Sequence, residues 1–173
     1  MRFPIMTAVA LAACAMTACS PAFNWRDVSL APAPLSAMFP CKPETASRTV
    51  VMGGQEVDLH MRHCDTAGIT AAVGHARVGD PTLVGPVLAQ WQAATLASLR
   101  ATASTRSAWT MERATPWPQA VSLEALGTGA DGKPLRLRAA WFARDGEVFA
   151  ALLYGPALAP DVVDAFFSGL RLQ

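Results

Sequence analysis

Residues 55–64 set the pattern of the chain. Val57, Leu59 and Met61 alternate with Glu56, Asp58, His60 and Arg62. A period of two predicts a strand with one buried and one wet face. Residues 35–39 predict an earlier strand, stopped by Pro40, and residues 47–52 another that ends at the hairpin signal Gly53-Gly54. Ala67-Gly68 reads as a turn into a fourth strand over 69–78. The first half is therefore expected to be an antiparallel meander.

The period then changes. Asp80 suits a helix N-cap and Pro81 a first turn, with Gly85-Pro86 a second start one turn later. Val84, Val87, Leu88, Trp91, Thr95 and Leu99 recur at intervals of three and four and predict one buried helix face, in a helix running to about Ala101. Trp91 is its largest anchor, and its truncation to Ala costs ~3–5 kcal/mol if the ring is buried. Residues 103–118, rich in Ser, Thr and Pro, predict a loop. Trp109 and Trp117 either pack that loop down or make a binding surface. Strands follow over 121–126 and 135–141, with a turn at Asp131-Gly132 and a two-residue hairpin signal at Asp145-Gly146. Residues 147–154 are apolar on both sides and predict a central strand. Residues 161–167 predict a short helix with Val162 and Phe166 facing in, ended by Gly169, and 170–172 a last strand or tail. Strands, helix, strands, helix predict an α+β fold: an antiparallel sheet of about six to seven strands with one long and one short helix packed on it.

The N-terminus is patterned differently. Arg2 is the only charge before an apolar run that gives way to small residues ending in Met16-Thr17-Ala18-Cys19. A charged start, a short apolar run and a small-residue cut site form a secretory signal, here residues 1–18. The run is too short to span a bilayer, which takes about 20 apolar residues. The cysteine looks like that of a bacterial lipobox. Leu11-Ala12-Ala13-Cys14 is a competing site. Cleavage before Cys19 leaves Cys19, Cys41 and Cys64, so that lipidating Cys19 leaves one pair; cleavage before Cys14 leaves an odd thiol. The expectation is acylation at Cys19, a tether over 19–34 containing Ala31-Pro32-Ala33-Pro34, and one domain over 35–173. Phe23, Trp25 and Val28 are candidates to dock on that domain, and Trp25 is expected as a packing residue or a membrane-interface contact rather than a ligand-binding ring. The partner is then the lipid bilayer, and Ser20, in place of the Asp that retains lipoproteins at the inner membrane, points to the outer membrane facing the periplasm.

Charge and chemistry narrow the picture. The net charge is +1 and the basic residues are scattered, so a nucleic-acid footprint is absent from the sequence. Arg136, Arg138 and Arg144 read as a solvated strand face, with anionic lipid as the alternative. Cys41 and Cys64 are the natural disulfide pair of an oxidising compartment and lack the C-x-x-C spacing of a redox pair. His60, His63, Cys64 and His75 invite a metal reading, but His60 and His63 point to opposite faces of a strand. No metal or other cofactor is therefore expected. The chain holds no G-x-S-x-G, P-loop or G-x-G-x-x-G. Asp131, Asp145 and Glu147 read as solvated turn carboxylates, and no catalytic residue is assigned.

The chain resembles a group of small exported proteins of proteobacteria. The resemblance rests on the lipobox cysteine, Asn24-Trp25-Arg26, Phe39-Pro40-Cys41-Lys42-Pro43, Cys64, and Phe166-Phe167-Ser168-Gly169-Leu170. The element order is also similar to that of the Mog1/PsbP-type fold, whose members serve mainly as binding or assembly factors. The functional expectation is a membrane-anchored envelope lipoprotein that acts as a binding or assembly factor without catalysis, with an envelope protein as a candidate partner. The alternative is a periplasmic enzyme or small-ligand carrier with a pocket near the 103–118 loop.

Overall fold

The structure is a computed structural model and describes residues 22–173. The leader, Cys14 and Cys19 lie outside the described residues. In chain order the elements are β1 (Arg26–Ser29), β2 (Leu35–Phe39), β3 (Glu44–Met52), β4 (Gln55–Thr66), β5 (Ile69–Arg77), a 3-10 turn (Pro81–Leu83), α1 (Val84–Ser98), β6 (Ala103–Ala108), β7 (Val121–Thr128), β8 (Pro134–Arg144), β9 (Glu147–Gly155), α2 (Pro160–Ser168) and β10 (Arg171–Leu172). The fold is α+β, as the element order predicted.

Seven strands form one antiparallel sheet in the order β3-β4-β5-β9-β8-β7-β6. The chain meanders through β3, β4 and β5, crosses with α1 to the far edge, and meanders back through β6, β7 and β8 until β9 closes against β5. Three tight turns hold the hairpins. Gly53-Gly54, Ala67-Gly68 and Asp145-Gly146 each place two consecutive residues at positive φ, the geometry whose twist matches paired antiparallel strands. Asp80 caps the turn before α1, its Oδ1 accepting the Thr82 N–H at 2.8 Å.

Both faces of the central strands are covered. On one face lies α1, with Val84, Val87, Leu88, Trp91, Thr95 and Leu99 all buried, the positions its spacing selected. Trp91 lies over Gly74 of β5, where a Cβ would come within 2.9–3.0 Å of the indole and would also meet Met61 Sδ. On the other face, β1, β2 and β10 form a second, three-stranded sheet in the order β1-β2-β10. With α2 it buries Phe39, Phe166, Phe142 and Phe149. Trp141 and Phe142 are neighbours in β8, point to opposite faces, and are both fully buried. Two-sided burial is why β9, the middle strand, carries apolar residues at nearly every position.

The structure departs from the sequence reading in three places. Residues 103–108, expected as loop, form β6, an edge strand exposed along its whole length; its side chains bury nothing, so no alternation marks it. Residues 26–34, expected in the tether, belong to the fold: β1 pairs with β2, and Leu30 and Ala33 are buried. The face of β4 expected to be wet is only partly so. Toward its end Cys64 is buried and His60 and Arg62 are half-buried beneath the three-stranded layer.

Candidate functional site

Cys41 and Cys64 are joined by a disulfide, with Cα atoms 6.0 Å apart. The bond ties the segment after β2 to β4, so it staples the three-stranded layer to the main sheet. With its sulfur in that bond, Cys64 is no metal ligand. His63 is also removed from the proposed set. It lies on the α1 face, beside an apolar hollow of about 390 Å³ formed with Met61, Leu59 and Trp91.

The remaining histidines come together. His60 and His75 are cross-strand partners on β4 and β5, and their rings stack with centroids 5.0 Å apart at 25°. Ser47 on β3 lies 2.8 Å from His60 Nδ1 through its hydroxyl. On the other flank, Glu147 of β9 is 7% exposed, a correction to its reading as a solvated turn residue. Its Oε1 accepts from the Arg77 guanidinium at 2.9 Å. Its Oε2 lies 3.6 Å from His75 Nδ1 and has no hydrogen-bond partner. Burial holds the His75 pKa below the ordinary histidine value, against the pull of the Glu147 carboxylate and with help from His60 and Arg62. His75 is therefore neutral at neutral pH. The two rings line a cleft of about 130 Å³ roofed by Leu30, Ala31 and Pro32, with Arg62 beside it donating to Thr45 Oγ1.

This arrangement brings together parts of a catalytic device without assembling one. A nucleophile needs a base, and the base needs a third group to orient it. Ser47 contacts His60, but the neighbour of His60 is the face of another ring, which neither takes nor gives its proton. The carboxylate belongs to His75 instead. Tyr154, the one tyrosine, is pushed up to about 12 by burial and is a neutral phenol. Among the described residues, no group of three or more metal-ligating side chains converges.

A second hollow, about 420 Å³, lies between the β6–β7–β8 end of the sheet and α2. Ala103 and Thr105 of β6 form one wall and Leu158, Val163 and Asp164 another, so the strand that replaces the expected loop does border a groove. Its floor carries Arg136 and Arg138. The basic stripe is partly neutralised: Arg138 pairs with Glu124, and Arg144 lies 3.2 Å from Asp145 and donates to the Gln173 carbonyl. Trp109 packs on Phe167, rings 5.9 Å apart, and Trp117 packs against the α1-side core. Buried Gln92 of α1 ties that loop down by donating to the Gln119 carbonyl at 2.8 Å.

Sequence reasoning missed Glu147 and the α2 wall of the groove. Glu147 carried a signal, as the sole charge in an otherwise apolar central strand; a carboxylate buried in such a strand requires a partner. The α2 wall carried none, because it depends on how the layers stack.

The fold and these sites define an α+β protein with a two-layered sheet, a disulfide staple and no assembled catalytic set among the described residues. No protein-family model matches the chain. No curated protein matches it either. A solved structure similar to it is that of PA94 from Pseudomonas aeruginosa, described as a protein of unknown function and a candidate regulator. It is 14% identical, covers 81% of this chain and 86% of its own, and superposes with a TM-score of 0.35.

Proposed function

We propose that this protein is a bacterial envelope lipoprotein, acylated at Cys19, facing the periplasm and more specifically attached at the outer membrane. Its domain acts by binding, in envelope maintenance or assembly, rather than by catalysis. The observation that carries the reading is the Cys41–Cys64 disulfide downstream of a lipobox-like leader. Disulfides persist in oxidising compartments, which the leader independently predicts. Two or more acyl chains hold a protein stably on a bilayer, at ~0.8 kcal/mol per buried CH₂. The test is the intact mass of protein extracted from a native bacterial membrane, together with the partitioning of Cys19→Ala. A chain starting at Cys19 with added acyl mass, and a soluble variant, support the reading. An unacylated chain, or unchanged membrane partitioning of the variant, refutes it.

The groove between β6–β8 and α2 favours a second reading, a small-ligand carrier. Its volume falls in the range of small-molecule sites, and its wall at Ala103 and Thr105 lies where the sequence placed a pocket. Saturable binding of a small periplasmic ligand, lost in Leu158→Arg, supports this reading. Unchanged binding in that variant removes the groove as the site.

A further inference from the structure

The described chain enters the domain at a fixed point. The Ala22 carbonyl accepts the Thr66 hydroxyl at 3.0 Å, and the Asn24 N–H donates to the Pro40 carbonyl at 2.9 Å. Both anchors lie at one end of the molecule, where β4 turns into β5 and where the disulfide joins the layers. Three peptide units separate Cys19 from Ala22. At about 3.8 Å between consecutive Cα atoms they span at most about 11 Å. An acylated Cys19 holds its sulfur at the boundary between headgroups and acyl chains. With roughly 3 Å more from the Cys19 Cα to its sulfur, Ala22, which is hydrogen-bonded to Thr66, is then within about 14 Å of that boundary, whatever path the three residues take.

The residues found at this end suit such a place. Phe23 and Trp25 pack on each other, ring centroids 5.9 Å apart, and are half-buried against the core beneath the three-stranded layer. Neither residue is fully buried, so part of each stays accessible. Tryptophan, an apolar ring with one N–H donor, concentrates at membrane–water interfaces, and Phe23 adds apolar surface beside Trp25. Charges near this end are mixed: exposed Arg26 and Lys42 stand beside exposed Asp27, Glu44 and Asp65. They do not select for anionic lipid.

We propose that this end of the domain is a bilayer-contact surface, in which Phe23 and Trp25 insert into the headgroup region of the membrane that holds the lipid anchor. The inference rests on the lipoprotein reading and deepens it by fixing which surface meets the lipid. The other end of the main sheet then points outward. β4 alone is 12 residues long, about 40 Å at ~3.3 Å per residue, and the Gly53-Gly54 turn is at its far end.

The experiment uses the native acylated chain reconstituted into phosphatidylcholine vesicles, with and without bromine on the acyl chains near the headgroup. The chain has five tryptophans, so Trp25→Phe assigns the signal. The expected result is quenching by brominated lipid that is largely lost in Trp25→Phe, at both low and high salt. Neutron reflectometry of the wild-type chain on a supported bilayer gives a reading independent of the variant. It should show protein density continuous with the headgroup layer. A vesicle-bound, acylated chain with no Trp25-dependent quenching and a water layer beneath the protein overturns the contact surface while leaving the anchor intact. A chain that carries no acyl group and does not bind vesicles overturns both.

Discussion

Gly74 offers a sharp test of how α1 is seated. A methyl group there would meet Trp91 Cζ2 at 2.9 Å and Cη2 at 3.0 Å, and Met61 Sδ as well. Met61 is flexible and can swing away. The indole cannot, because Trp91 is only 7% exposed. Gly74→Ala therefore sets two effects against each other. Removing glycine's freedom in the unfolded chain stabilises by ~0.4–1 kcal/mol. Overpacking against the buried indole costs ~1–3 kcal/mol. The second wins, and the variant should be destabilised by about 1–2 kcal/mol net. Replacing Trp91 by Leu removes the obstacle. In that background Gly74→Ala should be neutral or stabilising, a coupling of about 1–3 kcal/mol. The assay is urea unfolding followed by far-ultraviolet circular dichroism on the four proteins of the cycle. A cost below about 0.5 kcal/mol in the wild-type background, or the same cost in both backgrounds, refutes the close seating of the indole on Gly74.

Two further predictions test other parts of the structure. Removing the disulfide as Cys41→Ala/Cys64→Ala opens a loop with a sequence separation of 23. It should lower unfolding stability by ~3.4 kcal/mol in the chain-entropy model, and equal denaturation midpoints with and without reductant would contradict this. His75 should make the protein acid-sensitive, since its folded pKa lies below its unfolded value of 6.5. Below that value the unfolded chain binds more protons than the folded one, so stability falls as pH drops through 6.5 toward the folded pKa, by at most ~1.4 kcal/mol per pH unit for one proton. The groups facing His75 are His60 and Arg62 on β4 and Glu147 on β9. His75→Gln should flatten the slope of unfolding free energy between pH 7.5 and 5.5, and an unchanged slope would assign it to other groups.

What could be read from the sequence followed the burial of each element. The long helix was legible because its bulky residues Val84, Val87, Leu88 and Trp91 recur on one buried face, although alanines on the exposed positions and buried Gln92 and Thr95 blur the contrast between the faces. β9 was legible as the central strand because burial on both faces forces apolar residues at both parities. The three tight turns were legible because few residue pairs tolerate consecutive positive φ. β6 was not, since an edge strand of Ala, Ser, Thr and Arg buries no side chain and leaves no pattern. β1 was hidden because four residues are too few to show a period and a Pro-rich stretch follows them. The His60–His75–Glu147 cluster was half visible. The histidines stood out by type, but the carboxylate reaches them only through the β5–β9 pairing, a contact between distant parts of the chain. The covered second face of β4 was missed for the same reason: local alternation reports which residues differ, not what lies above them.

The position of β9 has a consequence for the order in which the molecule can be made. The three-strand meander of β3, β4 and β5 is complete early in synthesis, yet β5 presents a bare, apolar edge until β9 arrives to pair with it. The second layer is likewise open until β10, at the last residues, adds to β2. A chain emerging N-terminus first cannot reach a closed structure partway, because the strand that joins its halves is among the last to appear. Most pairings join consecutive strands; β5–β9 and β2–β10 are the distant ones, and closing their long intervening loops is the slow part. The main sheet and its second layer close only once the C-terminal strands are available.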